Sequence, residues 1–307
     1  MFIPNLRSVN MLKKIYCLFK AEPEEISGFA DFVKELEKSG ILLEVILLER
    51  LAGASEQVAF LNRVRERKDA VLVTDTELRC ELLTELCAAC GNSGDVIPVA
   101  GFLCQGNGNS LSYKYVFESF EGMTADYFAM VYCRFYGLPL DILETKRLKV
   151  REMTLGDIDR LYEIYAEPSI TEYMEGLYPD RQEEIEFSKS YIENMYGFYG
   201  YGLWMVIEKS SGRIIGRAGL SNREVDGEVC LELGYVIAKE SQRQGYATEV
   251  SQAILEYAKD ELGAIKVIAL MKPENEASVR TARKLGFKEV CEVRLGEESY
   301  LEYCIDL

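Results

Sequence analysis

The sequence predicts two domains. Residues 1–144 are expected to form an α/β domain with a mainly parallel sheet and helices on both faces, and residues 145–307 an α+β domain with a mixed, mostly antiparallel sheet. Three observations support this division. A length of 307 residues suits about two domains. Apolar runs alternate with amphipathic segments in the first part, whereas three consecutive strand-like segments joined by tight turns lie in the second.

The first domain alternates short apolar runs with segments of helical periodicity. The nearly continuous apolar run 41–48 is typical of a buried parallel strand, and Gly40 ends the helix before it. Gly137 and Pro139 close the last helix, so that 138–145 is predicted to join the domains. The predicted strands are 14–19, 41–48, 70–74, 96–102 and 115–118, and the predicted helices are 23–39, 55–68, 76–90 and 124–136.

The second domain follows a different pattern. Turns at 210–212 and 226–227 separate three strands in a row, which predicts an antiparallel meander. A long helix that ends at Gly263 follows, then a strand, a helix that ends at Gly286, and a final hairpin over 287–307. The other predicted strands are 147–152, 203–209, 213–221, 229–238 and 265–271, and the predicted helices are 157–166, 183–197, 247–262 and 275–285.

The composition excludes several classes of function. The chain has 51 Asp and Glu against 35 Lys and Arg, a formal net charge of −16, and no histidine. Proteins that neutralise the phosphates of nucleic acids or anionic lipids are normally basic, so we expect neither nucleic acid nor a membrane as partner. An amine-bearing partner suits the charge better. The lack of His excludes Ser-His-Asp and Cys-His nucleophiles and His-ligated metals, and no metal is expected.

Cysteine usage predicts a reducing compartment. Nine cysteines at irregular spacing favour free thiols, and residues 1–20 show no signal-peptide pattern, so we predict a cytoplasmic protein. The apolar run 41–48 is shorter than the ~20 residues of a membrane span. One Cys-x-x-Cys pair, Cys87 and Cys90, closes a predicted helix. Because redox pairs normally open a helix, where the thiol pKa is lowered, core packing is the favoured interpretation.

One loop has the composition of an anion site. The segment 231–248 runs from an apolar strand through a loop into an amphipathic helix, and the loop offers Gln242, Arg243 and Gln244 as donors. Gly245 leaves the backbone amides accessible. The free N–H groups and the dipole of a helix N-terminus favour phosphate. Taken alone, the pattern also suits an ordinary strand–helix connection.

The order of the motifs resembles the GNAT family of acyl-CoA-dependent N-acetyltransferases. Gln-x-x-Gly-x-Ala at 242–247 is followed by Asn-x-x-Ser at 275–278 and by Gly-Phe at 286–287. The sequence Glu-x-Gly-Tyr at 232–235, together with Asn-x-x-Ser, points towards the Rim-type branch, which acetylates ribosomal-protein N-termini. The resemblance covers about residues 146–307.

The resemblance implies acetyl-CoA as co-substrate, lying where the central strand splays from its neighbour. Backbone groups of that strand would pair with the pantetheine arm, and the loop amides would hold the pyrophosphate. Asn275 would reach the pantetheine from the next helix, a role compatible with capping that helix. The cofactor residues carried over in this way are Tyr235, Val236, Ile237, Gln242, Arg243, Gln244, Gly245, Tyr246, Ala247, Thr248 and Asn275.

The implied reaction is direct attack of a primary amine on the thioester in a ternary complex. Glu232 on the central strand is the candidate general base, and an exposed strand carboxylate is the alternative. A backbone N–H near 236–237 is the expected oxyanion donor. Many GNAT enzymes place a Tyr four residues before the Gly of Gly-Phe, as general acid. This chain has Ala282 there, which leaves Ser278 as a substitute, although its hydroxyl equally suits a bond to the helix backbone.

The acceptor is expected on the side of the first two helices of this domain. Tyr173, Glu175 and Tyr201 are candidate substrate residues, because the loops 173–178 and 197–202 offer the aromatic and acidic groups that suit an amine. Loop aromatics that merely cover the core are the alternative. Trp204 is expected to pack inside the sheet.

The first domain loosely resembles HAD-like and other Rossmann-type cores. It lacks the Asp-x-Asp pair that HAD phosphatases carry after the first strand, where residues 19–22 are Phe-Lys-Ala-Glu, and the Asp75-Thr-Glu77 sequence follows the third strand instead. The loop 105–110 has the composition of a surface turn. We therefore predict a non-catalytic domain that binds a partner or a ligand.

Two functions follow from this sequence. The leading one is acetyl transfer to a primary amine, either a protein N-terminus or a small amine such as a polyamine or an aminoglycoside. The alternative is an acyl-CoA-binding regulatory protein whose first domain senses a ligand or a partner. A homodimer is compatible with both.

Overall fold

The computed structural model describes residues 11–20, 22–51, 53–76, 97–103, 113–225, 227–296 and 298–307. The chain forms two compact units that divide between residues 138 and 139, and each unit has one sheet. Three of the sequence predictions lie outside the described residues. They are the helix 76–90 beyond its first residue, with Cys80, Cys87 and Cys90, the loop 105–110, and residue 226 of a predicted turn.

The first unit contains a parallel five-stranded sheet, as the sequence predicted. The strand order is β2-β1-β3-β4-β5. The strands are β1 (Lys14–Phe19), β2 (Leu42–Leu47), β3 (Ala70–Thr74), β4 (Val99–Phe102) and β5 (Val116–Phe117), and the helices are α1 (Phe29–Ser39), α2 (Ala54–Glu66) and α3 (Ala125–Tyr136).

Helices cover both faces of this first sheet. Side chains alternate between the faces along a strand, so Tyr16 and Phe19 of β1 point in opposite directions. Tyr16 packs edge to face on Phe60 of α2, with ring centroids 5.8 Å apart. Phe19 packs on Phe29 of α1, also at 5.8 Å, and α3 lies beside α1 on that face. Such pairs bury large apolar areas on each side of the sheet.

The second unit contains a mixed eight-stranded sheet in the order β12-β13-β11-β10-β9-β8-β7-β6. Only β10 and β11 are parallel to each other, and the remaining neighbours in this sheet are antiparallel. This arrangement confirms the predicted mixed sheet. The strands are β6 (Asp141–Glu144), β7 (Leu148–Arg151), β8 (Leu203–Glu208), β9 (Ile214–Val225), β10 (Glu228–Ile237), β11 (Lys266–Met271), β12 (Lys288–Leu295) and β13 (Glu298–Asp306).

Helices of the second unit lie mainly between its strands in sequence. A π-helix, Ile192–Tyr199, continues directly from α6. The α-helices are α4 (Ile158–Tyr165), α5 (Pro168–Thr171), α6 (Arg181–Tyr191), α7 (Tyr246–Asp260) and α8 (Glu276–Leu285). Trp204 of β8 is fully buried, as expected, and its ring lies 5.2 Å from that of Tyr257 on α7.

Two segments differ from the sequence predictions. The predicted joint 138–145 contains β6, an edge strand paired with β7, because Leu140 and Ile142, two residues apart, are both buried. The aromatic segment 197–202 is not simply a loop, because its first residues belong to the π-helix, which ends at Gly200 with φ +77°. A glycine adopts this left-handed conformation without steric cost.

Candidate active site

The centre of the second sheet contains a gap. β10 and β11 are neighbours that share a single register pair, Glu232 with Ile268. β10 nevertheless continues beside β9 as far as the pair Ile237 and Gly216. The two parallel strands therefore diverge beyond Glu232, and the last five residues of β10 have a strand partner on one side only.

The direction of the backbone groups along β10 follows from one hydrogen bond at its end. The Ala238 N–H donates to the Ile215 carbonyl at 2.8 Å. Because backbone groups of alternate residues point to opposite sides of a strand, Val236 turns its N–H and C=O towards β9. Tyr235 and Ile237 turn theirs towards the gap. The backbone groups that face the gap are therefore those of Leu233, Tyr235 and Ile237, and the Ile237 carbonyl already accepts from Gln242 Nε2 at 3.0 Å.

The loop after β10 places an uncapped helix start at the same edge of the sheet. α7 begins after Gly245, whose φ is +82°, and no described side chain caps it. The Glu249 N–H is the first with a helical acceptor, the Gly245 carbonyl at 3.0 Å, so the preceding amides point out of the helix. By contrast, Asn275 Oδ1 caps α8 by accepting from the Ser278 N–H at 3.1 Å.

Two of the predicted phosphate donors shape the loop itself. Gln242 Nε2 donates to the Ile237 carbonyl at 3.0 Å, and Gln244 Nε2 donates to the Glu240 carbonyl at 3.3 Å. Arg243 is exposed and has φ +59°, the only positive φ of a non-glycine residue in the part of the chain that the structure describes. Among the described residues, the Arg243 side chain thus has no hydrogen bond or ion pair, whereas the two glutamines donate to backbone carbonyls.

A partly buried ion pair supports the first turn of α7. Glu249 accepts from Thr145 Oγ1 at 2.5 Å, from the Arg147 N–H at 3.0 Å and from Arg147 Nε at 2.6 Å. Arg147 also lies 4.3 Å from the ring centroid of Tyr246 and donates to the Gln244 carbonyl at 3.0 Å. Sequence analysis did not find this network, because about a hundred residues separate its two sides and no motif links them.

Replacing Glu249 by Gln is expected to lower the free energy of unfolding by about 1–2 kcal/mol and to weaken its dependence on acid. Burial alone would raise the pKa of Glu249, but hydrogen bonds from Thr145 and Arg147 outweigh burial and hold the pKa below its ordinary value. Such a group stabilises the fold above its unfolded pKa, and this contribution is lost as the pH falls through the folded pKa.

Thermal melts of both proteins between about pH 7 and pH 3 measure this effect, since unfolded Glu titrates at about 4.3. Glu256→Gln, at an exposed position of the same helix, is the matched control and should melt like the wild type. An acid dependence of Glu249→Gln as steep as that of the wild type would show that the ion pair contributes nothing.

Glu232 lies where the gap begins. Its Oε2 is 2.7 Å from Arg223 Nε of β9, and 12% of its side chain is exposed. Residues four apart on a strand share a face, so Glu232 points to the same side of the sheet as Val236. The carboxylate is thus held by a cation and still reaches solvent, which a general base requires.

Two hydroxyl groups meet across the gap. Tyr235 Oη of β10 lies 3.5 Å from Ser278 Oγ in the first turn of α8. Ala282, one turn further along α8, is buried and has no hydroxyl. Sequence analysis assigned Tyr235 a backbone role only and missed its phenol, since no spacing rule relates it to Ser278.

The three predicted substrate residues are dispersed. Tyr201 donates to Asn222 Oδ1 of β9 at 2.7 Å. Tyr173 interacts electrostatically with Glu172 and with the acidic start of α8, while Glu175 is exposed. No hydrogen bond, ion pair or ring contact within the described ranges joins Tyr173, Glu175 and Tyr201.

A buried arginine lies on the face of the sheet that Glu232 occupies. Arg217 of β9 is opposite Val236 and is 8% exposed. Its guanidinium interacts electrostatically with Tyr165 and lies 5.9 Å from the ring centroid of Tyr191, and its Nε has no hydrogen-bond partner. Sequence analysis missed it because a single Arg within an apolar strand carries no motif.

The first unit offers less chemistry. Both oxygens of Asp75 accept from the Lys20 N–H at 2.9 Å, which ties the ends of β1 and β3, and Glu77 lies outside the described residues. Cys17 is buried, which raises the pKa of its thiol. Over the described ranges, no cluster of Cys, Asp and Glu has the geometry of a metal site. Likewise, no helix described here combines the length and apolarity of a membrane span.

Comparisons with known proteins cover the second unit. The family model described as the acetyltransferase (GNAT) domain matches residues 147–288. The uncharacterised protein YkkB of Bacillus subtilis is 32% identical over 145 residues, which are 47% of this chain and 83% of the relative. The uncharacterised N-acetyltransferase YoaA of the same organism is 30% identical over 151 residues, 48% of this chain and 83% of the relative.

A solved structure gives a more distant likeness. The ribosomal-protein-S5-alanine acetyltransferase of Vibrio fischeri is 15% identical and has a TM-score of 0.46, with 53% of this chain and 95% of that chain covered. The family model and the two relatives, each of which is matched over 83% of its length, show the family without this structure. Through its second unit, this chain belongs to the GNAT family of N-acetyltransferases.

Proposed function

We propose that the protein transfers an acetyl group from acetyl-CoA to a primary amine by direct attack in a ternary complex. The observation that carries this proposal is the gap between β10 and β11, bordered by the backbone of Tyr235 and by the uncapped start of α7. The gap has the shape of a missing strand, which an extended ligand with amide groups fills by backbone pairing.

The donor is held in three places. The pantetheine arm pairs with the backbone groups of Tyr235 and Ile237, and Asn275, whose Oδ1 caps α8, keeps its side-chain N–H₂ for the ligand. The pyrophosphate lies against the amides from 243 to 248 at the positive end of α7. Arg243 adds an exposed positive charge beside these amides.

The chemistry requires a neutral amine, although a lysine-type amine has a pKa of about 10.4. Glu232 accepts the proton, directly or through water, and Arg223 orients its carboxylate. The tetrahedral oxyanion is stabilised by a gap-facing N–H of β10, that of Tyr235 or Ile237. The acceptor is a protein N-terminus or a small amine, and the Glu-x-Gly-Tyr and Asn-x-x-Ser motifs support the Rim-type branch.

The hydroxyl pair of Tyr235 and Ser278 replaces the missing general acid in this proposal. Tyr235→Phe is expected to lower kcat by about tenfold, the modest end of general-acid effects, because a thiolate of pKa about 8.5 already leaves readily. Thiol release at saturating acetyl-CoA measures this change. Tyr300→Phe, on the distant strand β13, is the control. An unaltered kcat in Tyr235→Phe would show that the leaving thiolate receives no proton from Tyr235.

The proposal is tested by thiol release from acetyl-CoA against peptides with varied N-termini, polyamines, amino sugars and aminoglycosides. The background from the nine cysteines is subtracted. Calorimetric titration with CoA is made in parallel. Turnover with one class identifies the acceptor. Binding without turnover would favour an acyl-CoA-binding regulator, and absence of binding would overturn the assignment of the co-substrate.

A further inference from the structure

The acceptor side of the sheet contains a buried cation without an anion. Arg217 is 8% exposed, and within the described part of the chain its guanidinium forms no ion pair. Charged side chains this buried are normally paired. We propose that the acceptor carries a carboxylate in addition to its amine, and that Arg217 binds this carboxylate. The inference rests on the proposed function and narrows its substrate class.

The groups around Arg217 do not neutralise it. The strongest electrostatic partners of its guanidinium are Tyr165, Tyr191 and Tyr196. Burial raises the pKa of all three phenols, so that they are uncharged at neutral pH. The positive charge of Arg217 is therefore left for a ligand.

Two buried carboxylates lie near the tyrosines around Arg217, Glu184 near Tyr165 and Glu152 near Tyr196. Glu184 accepts from the Tyr178 N–H at 3.1 Å and from Ser188 Oγ at 3.2 Å. Glu152 accepts from the Leu140 N–H at 3.2 Å. Both are thus engaged elsewhere, and neither takes the place of an anionic ligand.

The hydrogen bonds around Arg217 leave an excess of donors. A guanidinium has five N–H groups, and Nε has no partner. The hydroxyl oxygen of Tyr191 accepts from the Leu203 N–H at 2.6 Å. Tyr191 consequently has its own proton left to donate, and no described acceptor receives it. The Arg217 Nε–H and the Tyr191 hydroxyl are therefore donors that suit a carboxylate, which only accepts.

The position of Arg217 connects this cluster with the reaction. It lies opposite Val236 and on the face that bears Glu232, four residues away along β10. Four residues of strand span about 13 Å. Between the two positions, a Cβ on Gly234 would lie 3.5 Å from the Leu203 side chain, so Leu203 provides an apolar surface there. The amine of the acceptor is thus expected near Glu232, and its carboxylate several bonds away.

A single buried cation also limits the anion. One guanidinium matches the charge and the two oxygens of a carboxylate, whereas a phosphate dianion would need further cations. The predicted acceptors are therefore ω-amino acids or peptides with an acidic residue near the N-terminus. Polyamines, which are among the small amines named as candidate acceptors, carry no group for this site.

The test compares acids with their amides. The CoA-bound wild-type protein is melted with glycine, 4-aminobutanoate, 6-aminohexanoate, 8-aminooctanoate and peptides with Asp at the second or third position, each beside the corresponding amide. At least one longer acid is expected to raise the Tm while its amide does not. Where turnover is measurable, kcat/KM is expected to be at least tenfold higher for that acid than for its amide.

Arg217→Met should abolish the difference between acid and amide while the Kd for CoA stays unchanged. Arg63→Met, in the first unit, is the control and should retain that difference. Equal effects of acids and amides on the wild type, or no Tm shift with any acid, would overturn the inference, and this comparison needs no variant to fold. Failure of the wild type to bind CoA would overturn the proposed function itself.

Discussion

Substituting Gly245 by Glu is expected to weaken CoA binding at least a hundredfold, equivalent to about 2.7 kcal/mol. Gly245 has φ +82°, where a side chain is strained, and it precedes the first turn of α7. A carboxylate at this position would stand in front of the amides that receive the pyrophosphate, and it would repel a like charge in a site built for anions. Calorimetric titration of CoA measures the loss.

Two further variants distinguish the effect of the charge added by Gly245→Glu from the effect of backbone strain. Gly245→Ala adds a Cβ 3.6 Å from Arg147 Nη2, an ordinary contact, and so tests the backbone conformation alone. Gly212→Glu introduces the same charge at φ +68° in the turn between β8 and β9, with nothing within 4 Å of the added Cβ. Gly212→Glu should bind CoA like the wild type. Wild-type affinity in Gly245→Glu would mean that the phosphates bind elsewhere.

Glu232→Gln is expected to lower kcat by about 10²–10⁴-fold, the usual range for loss of a general base. The amide keeps the shape of the side chain and can still accept from Arg223, so the Kd for CoA should not change. Single-turnover measurements with saturating acceptor report the chemical step directly.

Glu228→Gln serves as the matched control, because Glu228 is an exposed carboxyl at the start of the same strand. Its kcat should equal that of the wild type. If Glu232→Gln also turned over at the wild-type rate, Glu232 would have no part in proton transfer. A raised Kd together with lost turnover would instead indicate that the ion pair with Arg223 positions β10.

Local patterns predicted much of the second unit. The strand that becomes β10, Gly245 at the start of α7 and Asn275 at the start of α8 all follow from rules that relate nearby residues. Apolar alternation determines the strand, and the two helix starts depend on residue types with known conformational preferences. The parallel sheet of the first unit was predicted for the same reason.

Contacts between distant segments could not be predicted in this way. Two examples depend on which strands become neighbours. They are the ion pair between Arg147 and Glu249 and the position of Arg217 beside three tyrosines. The side of β10 to which the Val236 N–H and C=O point depends on the register between β10 and β9. A shift of that register by one residue would turn these groups to the other side. Sequence periodicity reports which face of a strand is buried and carries no information about register.

The single register pair between β10 and β11 has a consequence for the lifetime of the protein. A sheet joined at its middle by one pair consists of two half-sheets with little backbone pairing between them. On the proposed function, bound acetyl-CoA completes the backbone pairing and stabilises the folded state in proportion to its saturation. Resistance to proteolysis would then follow the supply of acetyl-CoA, so that abundance of the enzyme is linked to the metabolic state of the cell.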